Sequence, residues 1–292
     1  MNSLASLRSQ LRDQAKGPKV AGHWRPISIR LDQDVDEFLN VGVVLSYSGK
    51  AEVRMLDSFD RIKCLYDDRI DNRELQFLLQ DIESSLIKAG DNFPDILSES
   101  IKLGPPLFAS GETPEEIVDR FFEAAVTLGR PRGKINDAGF RYRSTPKLKS
   151  IIIDKLTETL GMRASEIVQD ERYQLKMKSG HVIEIDVPLL SQSASGHIVS
   201  AWYKSPLVVD HNLLQASADL NLIRSNTDRQ RASLSVLVPG DDCGMDIKEL
   251  SKHRDVLHKQ LDRLDKSGIE ILQADSEDKL AELTTNWWKN IA

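Results

Sequence analysis

Glu184 and Asp186 stand two residues apart in His181-Val182-Ile183-Glu184-Ile185-Asp186. In an extended strand that spacing puts both carboxylates on one face. Two hard oxygen donors so placed can hold one Mg²⁺. Lys204 closes the next apolar stretch, residues 196–204, and can lie across from them on the adjoining strand. A lysine there steadies charge on an attacked phosphate. Asp186, Glu184 and Lys204 are therefore a candidate catalytic set for metal-assisted hydrolysis, with Asp186 and Glu184 as the metal ligands. The alternative reading is that these are solvated carboxylates on a strand.

A second chemistry lies upstream. Between Arg130 and Lys149, seven basic residues oppose the single acid Asp137, and Phe140 and Tyr142 interleave with them. Arg141, Arg143 and Lys147 are the candidate nucleic-acid contacts, cations for phosphate beside rings for base stacking. The alternative is a linker kept charged for solubility. His253 and His258 are off helical register for a shared metal, and Asp241-Asp242-Cys243-Gly244 reads as a turn. Trp287 and Trp288 are adjacent, so one is expected inside and the other exposed. The usual phosphate-loop, dinucleotide, zinc-protease and esterase signatures are absent from the chain.

The elements that must position these residues alternate in period. Ile27, Ile29 and Leu31 predict a strand with one buried face. Residues 38–45 predict a strand buried on both faces, and Ser48-Gly49-Lys50 turns it into a hairpin partner at 51–56. Asn40 and Gly42 interrupt that apolar run. Gly42 admits a backbone or ring at close range and Asn40 satisfies a backbone group, or else the pair marks a ligand site. Helices are predicted at 72–88 and from Thr113, where Pro114 and Glu116 complete a capping box. The second half predicts a helix at 148–160, a hairpin at 173–178 and 181–189, and a strand at 196–204. A helix at 212–224, a strand at 232–238, a helix at 247–264 and a strand at 269–272 follow. Asp275 is expected to cap the last helix. Leu4, Leu7 and Leu11 predict a short amphipathic helix over 2–15.

At 292 residues the chain predicts two domains, and 40% hydrophobic residues suffice for ordinary cores. The net charge of −6 argues against a generally basic nucleic-acid binder but not against a local basic strip. Two distant cysteines and no long apolar run lead to the expectation of a cytoplasmic protein with free thiols and no membrane contact. The expected division is an N-terminal arm at 1–22, a domain at 23–128, a basic linker at 129–147 and an α/β domain at 148–292. The expected fold class is α/β (α+β), a β-hairpin and helix domain followed by a mixed-sheet domain.

Two resemblances bear on these residues. Glu37-Phe38-Leu39-Asn40-Val41-Gly42-Val43-Val44-Leu45, with the following hairpin and helix and then Leu107-Phe108, resembles a bacterial family known as domain of unknown function three-zero-three-seven. The resemblance covers about residues 23–128. That family has no assigned activity, and its members stand near kinases resembling the HipA toxin. It therefore implies a toxin–antitoxin, antiphage-defence or mobile-element setting, with a HipA-like kinase or other defence component as partner. The second half, in the order helix, three strands, helix, strand, looks like the core of restriction-endonuclease-like nucleases. Those enzymes carry an acid on the second strand and an acid-x-Lys pair on the third, which corresponds here to Asp186 and to Lys204. Trp202 stands where the middle acid is expected, and Glu166 is the nearest substitute. The leading expectation is a non-catalytic interaction or regulatory protein without a cofactor. The alternative is a Mg²⁺-dependent nuclease or DNA-binding derivative of that fold.

Overall fold

The computed structural model describes residues 19–32, 34–66, 69–129, 140–203 and 205–291. The expected helix over 2–15, the basic residues Arg130, Arg132 and Lys134, and Lys204 lie outside the described residues. The chain divides into two compact units, Met1–Lys134 and Ile135–Ala292.

The first unit is built on strands β1 (Val20–Ile29), β2 (Leu39–Tyr47) and β3 (Lys50–Met55), helices α1 (Asp60–Tyr66) and α2 (Asn72–Ala89), strands β4 (Ile96–Ser98), β5 (Ile101–Leu103) and β6 (Leu107–Gly111), and helix α3 (Pro114–Ala125). The antiparallel sheet runs β3-β2-β1-β5-β4, and β6 also pairs with β1. Ser48 and Gly49 both take positive φ, 47° and 78°, as the tight turn between β2 and β3 requires. The expected single buried face of β1 is corrected. Ser28 is buried along with Ile27 and Ile29 at the end of a strand that is central in the sheet. Thr113 Oγ1 accepts the Glu116 N–H, and Glu116 in turn accepts from Glu112, so α3 starts where its cap predicts.

Asn40 and Gly42 flank a β-bulge. Ile27 pairs with Gly42 and Ser28 with Asn40, leaving Val41 as the extra residue. Asn40 accepts from Ser28 Oγ at 2.8 Å and donates to the Ala125 carbonyl at 3.1 Å. That carbonyl ends α3 and has no partner within the helix. A Cβ at Gly42 would stand 2.9 Å from the Arg54 carbonyl oxygen. Of the two readings of this pair, the geometry takes the structural one.

The second unit comprises α4 (Thr145–Leu160), β7 (Tyr173–Lys176), β8 (Val182–Ile185), β9 (Leu189–Leu190), β10 (Ala194–Ser200), α5 (Pro206–Asn226), β11 (Arg231–Leu237), α6 (Ile247–Lys266), β12 (Glu270–Ala274) and α7 (Glu277–Lys289). Its main sheet runs β12-β11-β10-β9, with β10, β11 and β12 parallel and β9 antiparallel. Helices α5 and α6 are the crossovers that parallel strands demand. Alternation along each strand feeds two cores. Ile198 and Leu237 pack with α4 and α7, while Val199, Leu234 and Val236 pack with α5 and α6. The fold is thus mixed α/β. Strands β7 and β8 form a separate two-stranded hairpin.

Several boundaries are corrected. Helix α4 begins at Thr145, capped by Ser144, so Lys147 belongs to a helix and not to a linker. Strand β10 stops at Ser200, short of residue 204. Ser276, not Asp275, precedes the last helix, and Asp275 instead accepts from Lys279 at 2.9 Å. Trp287 and Trp288 are both buried, edge to face at 5.1 Å. Among the described residues no helix is long and apolar enough to cross a membrane.

Candidate functional site

Glu184 sits on β8 opposite Gln174 of β7 and is exposed, in the hairpin that stands apart from the main sheet. Asp186 lies just past the end of β8, so the strand alternation that would align the two carboxylates does not reach it. Strand β10, expected to carry Lys204 across from them, ends at Ser200, and Trp202 is buried in the segment that follows. Among the described residues no group of three or more His, Cys, Asp or Glu side chains comes together as a metal-ligand set.

What Asp186 meets is a lysine that the reading of the second half as a nuclease core did not include. Lys149 Nζ of α4 lies 2.7 Å from Asp186 Oδ2, with the lysine side chain only 19% exposed and the carboxylate 57% exposed. Partial burial works to raise the Asp186 pKa, but the Lys149 ammonium beside it wins, and the group is held below the ordinary carboxylate value. His197, on β10, is buried, and its Nδ1 lies 3.0 Å from the Ile198 N and 3.2 Å from the Ile198 carbonyl oxygen. Burial first and the Lys149 charge second push its pKa down to about 3, so the ring is neutral. Asp219 of α5 completes the group. Burial and then the Asp186 charge push its pKa up to about 6. Chemically the cluster is an ion pair within electrostatic reach of a carboxyl, Asp219, whose pKa burial raises. The signal that could have found it was Lys149 itself, the last cation of the basic run, on a helix facing the acid-bearing segment.

The proposed nucleic-acid contacts are placed differently from the expectation. The Arg143 guanidinium lies 4.1 Å from the centroid of the Trp202 ring, and its Nη1 is 3.8 Å from Glu277 Oε2. The Arg143 backbone N–H donates to the Trp202 carbonyl at 3.1 Å. Tyr142 stacks on Tyr203 at 5.8 Å, and Phe140 packs against the core beneath α4 and α7. The rings expected to receive bases are therefore turned into the unit. Tyr203 Oη accepts the Thr145 N–H and Thr145 Oγ1 accepts the Ser200 N–H, so this segment is stitched to the exit of β10. Arg141 is exposed and Lys147 lies in the first turn of α4.

The 241–244 segment is the turn its residues predict. Cys243 donates its N–H to the Gly240 carbonyl at 3.3 Å, Gly244 takes φ of 78°, and the thiol is buried. Arg254 holds the turn by donating to Asp241 and to the Pro239 carbonyl, each at 2.8 Å. His253 is buried with Nε2 3.0 Å from the Ala201 carbonyl, while His258 lines a cleft on the other side of α6.

That cleft is the concave feature that sequence reasoning missed. It has a volume of about 610 Å³ and lies between α6 and α7, where β12 ends the sheet. Leu257 and Leu261 of α6 and Leu283 of α7 form apolar walls, with Gln273 and Ala274 of β12 also lining it. Among the described residues β12 pairs with β11 alone, and the cleft lies at its C-terminal end, beside Gln273 and Ala274. No family model matches the chain, and no curated protein or solved structure is significantly similar to it.

Proposed function

We propose that this chain is a non-catalytic interaction protein whose second unit recognises another protein through the open edge of β12. The observation that carries this reading is the cleft of about 610 Å³ at the C-terminal end of that strand, with leucines on both walls. An unpaired strand edge offers a row of main-chain donors and acceptors, and flanking apolar walls supply the rest of a strand-addition site. The resemblance of residues 23–128 supports a toxin–antitoxin, antiphage-defence or mobile-element setting, with a HipA-like kinase as a candidate partner of the first unit. Hydrogen exchange of the full chain tests the reading. The outward amides of β12 exchange freely in an isolated copy and become protected when a protein partner is bound. Protection in isolated copies, independent of any partner, contradicts it.

A second reading is a Mg²⁺-dependent nuclease or DNA-binding protein, and the observation favouring it is Lys149 beside Asp186 with Asp219 close by. In that reading Asp186 and Asp219 are the oxygen donors and Lys149 the cation near phosphate. Metal-dependent cleavage of DNA or RNA by the purified chain separates the two readings.

A further inference from the structure

Helix α5 turns Val208, Leu213, Ala216, Leu220 and Ile223 inward. Its outward residues are Leu207, His211, Leu214, Ala218, Asn221 and Ser225, with Pro206 and Gln215 beside them, and all are exposed. Leu207 is 57% exposed and Leu214 65%. No Asp, Glu, Lys or Arg stands among them. Each other helix of this unit exposes several charges: Asp154, Lys155 and Glu158 on α4, Lys252, Asp255 and Lys259 on α6, and Asp278, Lys279 and Glu282 on α7. The charges that α5 carries are turned aside. Asp210 accepts from Gln260 at 2.6 Å, Arg224 donates to the Ser267 carbonyl at 2.9 Å, and Asp219 is half-buried within reach of the Asp186 charge. A helix with one face in water ordinarily keeps its charges there, so an uncharged face about five turns long is one built to be covered.

The spacing along that face says what covers it. The six outward positions follow one another at intervals of 4, 3, 4, 3 and 4 residues, the seam of a coiled coil. Laid antiparallel on itself about a two-fold axis level with residue 216, the seam forms three kinds of layer. Leu207 comes opposite Ser225 of the second copy, His211 opposite Asn221, and Leu214 opposite Ala218. Each leucine meets a small residue, so the two helices can close with their side chains interdigitated. The polar layer sets an imidazole against an amide, the kind of pairing that fixes register. Parallel pairing would place His211 on His211 and leave gaps at Ala218 and Ser225. A slip of seven residues would place His211 on Leu214.

We infer that α5 packs antiparallel on α5 of a second copy of this chain, making a symmetric dimer about that axis. Val256 of α6, 42% exposed, stands one turn before the Gln260 that bonds Asp210, level with Leu207, and widens the contact at each end. The seam is about 27 Å long at the helical rise. That is a contact at the small end of stable interfaces, and it sets self-association in the micromolar range. Helix α5 packs on β10 and β11, so this surface is separate from the edge of β12, and the inference does not rest on the function proposed for that edge.

The test is sedimentation of the full chain across a concentration series, for wild type, Leu214→Lys, Ala218→Glu and an equal mixture of the two variants. Both positions are exposed and both replacements are good helix formers, so the fold is kept, and thermal melts check it. Wild type passes from 32.9 kDa to twice that mass as concentration rises. Each variant alone places two like charges beside the axis, and its self-association weakens by about tenfold or more. In the mixed dimer one layer sets the new lysine against the new glutamate, and its symmetry mate keeps the native leucine and alanine. The mixture therefore associates about tenfold more tightly than either variant alone. Leu207→Lys with Ser225→Glu repeats the test in the outer layer, should either inner variant melt abnormally. Wild type monomeric at every concentration overturns the inference. So does a dimer indifferent to both substitutions, or a mixture no tighter than its components.

Discussion

Lys149 Nζ and Asp186 Oδ2 are 2.7 Å apart, joining α4 to the segment that leads from β8 into β9. The lysine is the more enclosed partner, and the carboxylate its counter-charge. This one ion pair occupies the acid on which a hydrolytic site in this unit would depend, and its charges add to the effect of burial on two titratable neighbours, His197 and Asp219.

Lys149→Met removes the cation while keeping most of the side chain's volume. The Asp186 pKa is depressed in the folded chain, so the stabilisation it brings is present above the unfolded value near 3.8 and is lost as pH falls through the lower folded value. With the carboxylate 57% exposed, solvent screening limits the effect to about 1 kcal/mol. Melting curves across pH check this. The variant is less stable than wild type at pH 7, and the gap narrows below the range in which Asp186 titrates.

Asp219→Asn has the opposite sign. The Asp219 pKa is raised to about 6, so its favourable contribution is full below the unfolded value near 3.8 and disappears as pH rises through 6. Asparagine cannot ionise. The variant therefore melts higher than wild type at pH 7 to 8, by roughly 2–4 °C for each kcal/mol relieved. It gains nothing at pH 3 to 4. A lower melting temperature at neutral pH contradicts this account.

Gly42→Val tests the bulge of the first unit. The added Cβ meets Met55 Sδ at 2.5 Å, the Arg54 carbonyl oxygen at 2.9 Å and Ile27 Cδ1 at 3.2 Å, and the carbonyl cannot withdraw without moving β3. Overpacking of this kind costs about 1–3 kcal/mol. Chemical denaturation should show the midpoint lowered with the slope unchanged.

The apolar periods made much of this fold legible. Thr113-Pro114-Glu115-Glu116 marked the start of α3, and Leu250, Leu257 and Leu261 marked the buried face of α6. The short elements were not legible: β4, β5 and β9 have three, three and two residues, too few to show a period. The candidate site was less legible still. Glu184 and Asp186 share a parity, but β8 stops between them at Ile185, and no spacing in the chain announces where a strand loses its partner. Arg143 illustrates the same limit. Its charge is readable as a phosphate contact, but its stacking on Trp202 depends on a chain crossing 59 residues away in sequence (202 − 143).

Arg143→Ala should therefore act on stability. Loss of the cation–π contact with Trp202 and of the packed side-chain stem lowers stability by about 1–2 kcal/mol. Arg143→Lys keeps the charge but not the planar stack and recovers only part of the loss. A variant with unchanged melting and weakened, salt-sensitive binding to DNA would instead place Arg143 in a nucleic-acid interface.

The claim that this chain binds and does not hydrolyse is tested most directly by incubating the purified full chain with single-stranded DNA, duplex DNA and RNA in Mg²⁺ and in Mn²⁺. With the Asp186 carboxylate paired to Lys149 and Glu184 out on a separate hairpin, the expected result is no cleavage of any substrate. Metal-dependent cleavage that disappears in both Asp186→Ala and Lys204→Ala would contradict the account and establish the nuclease.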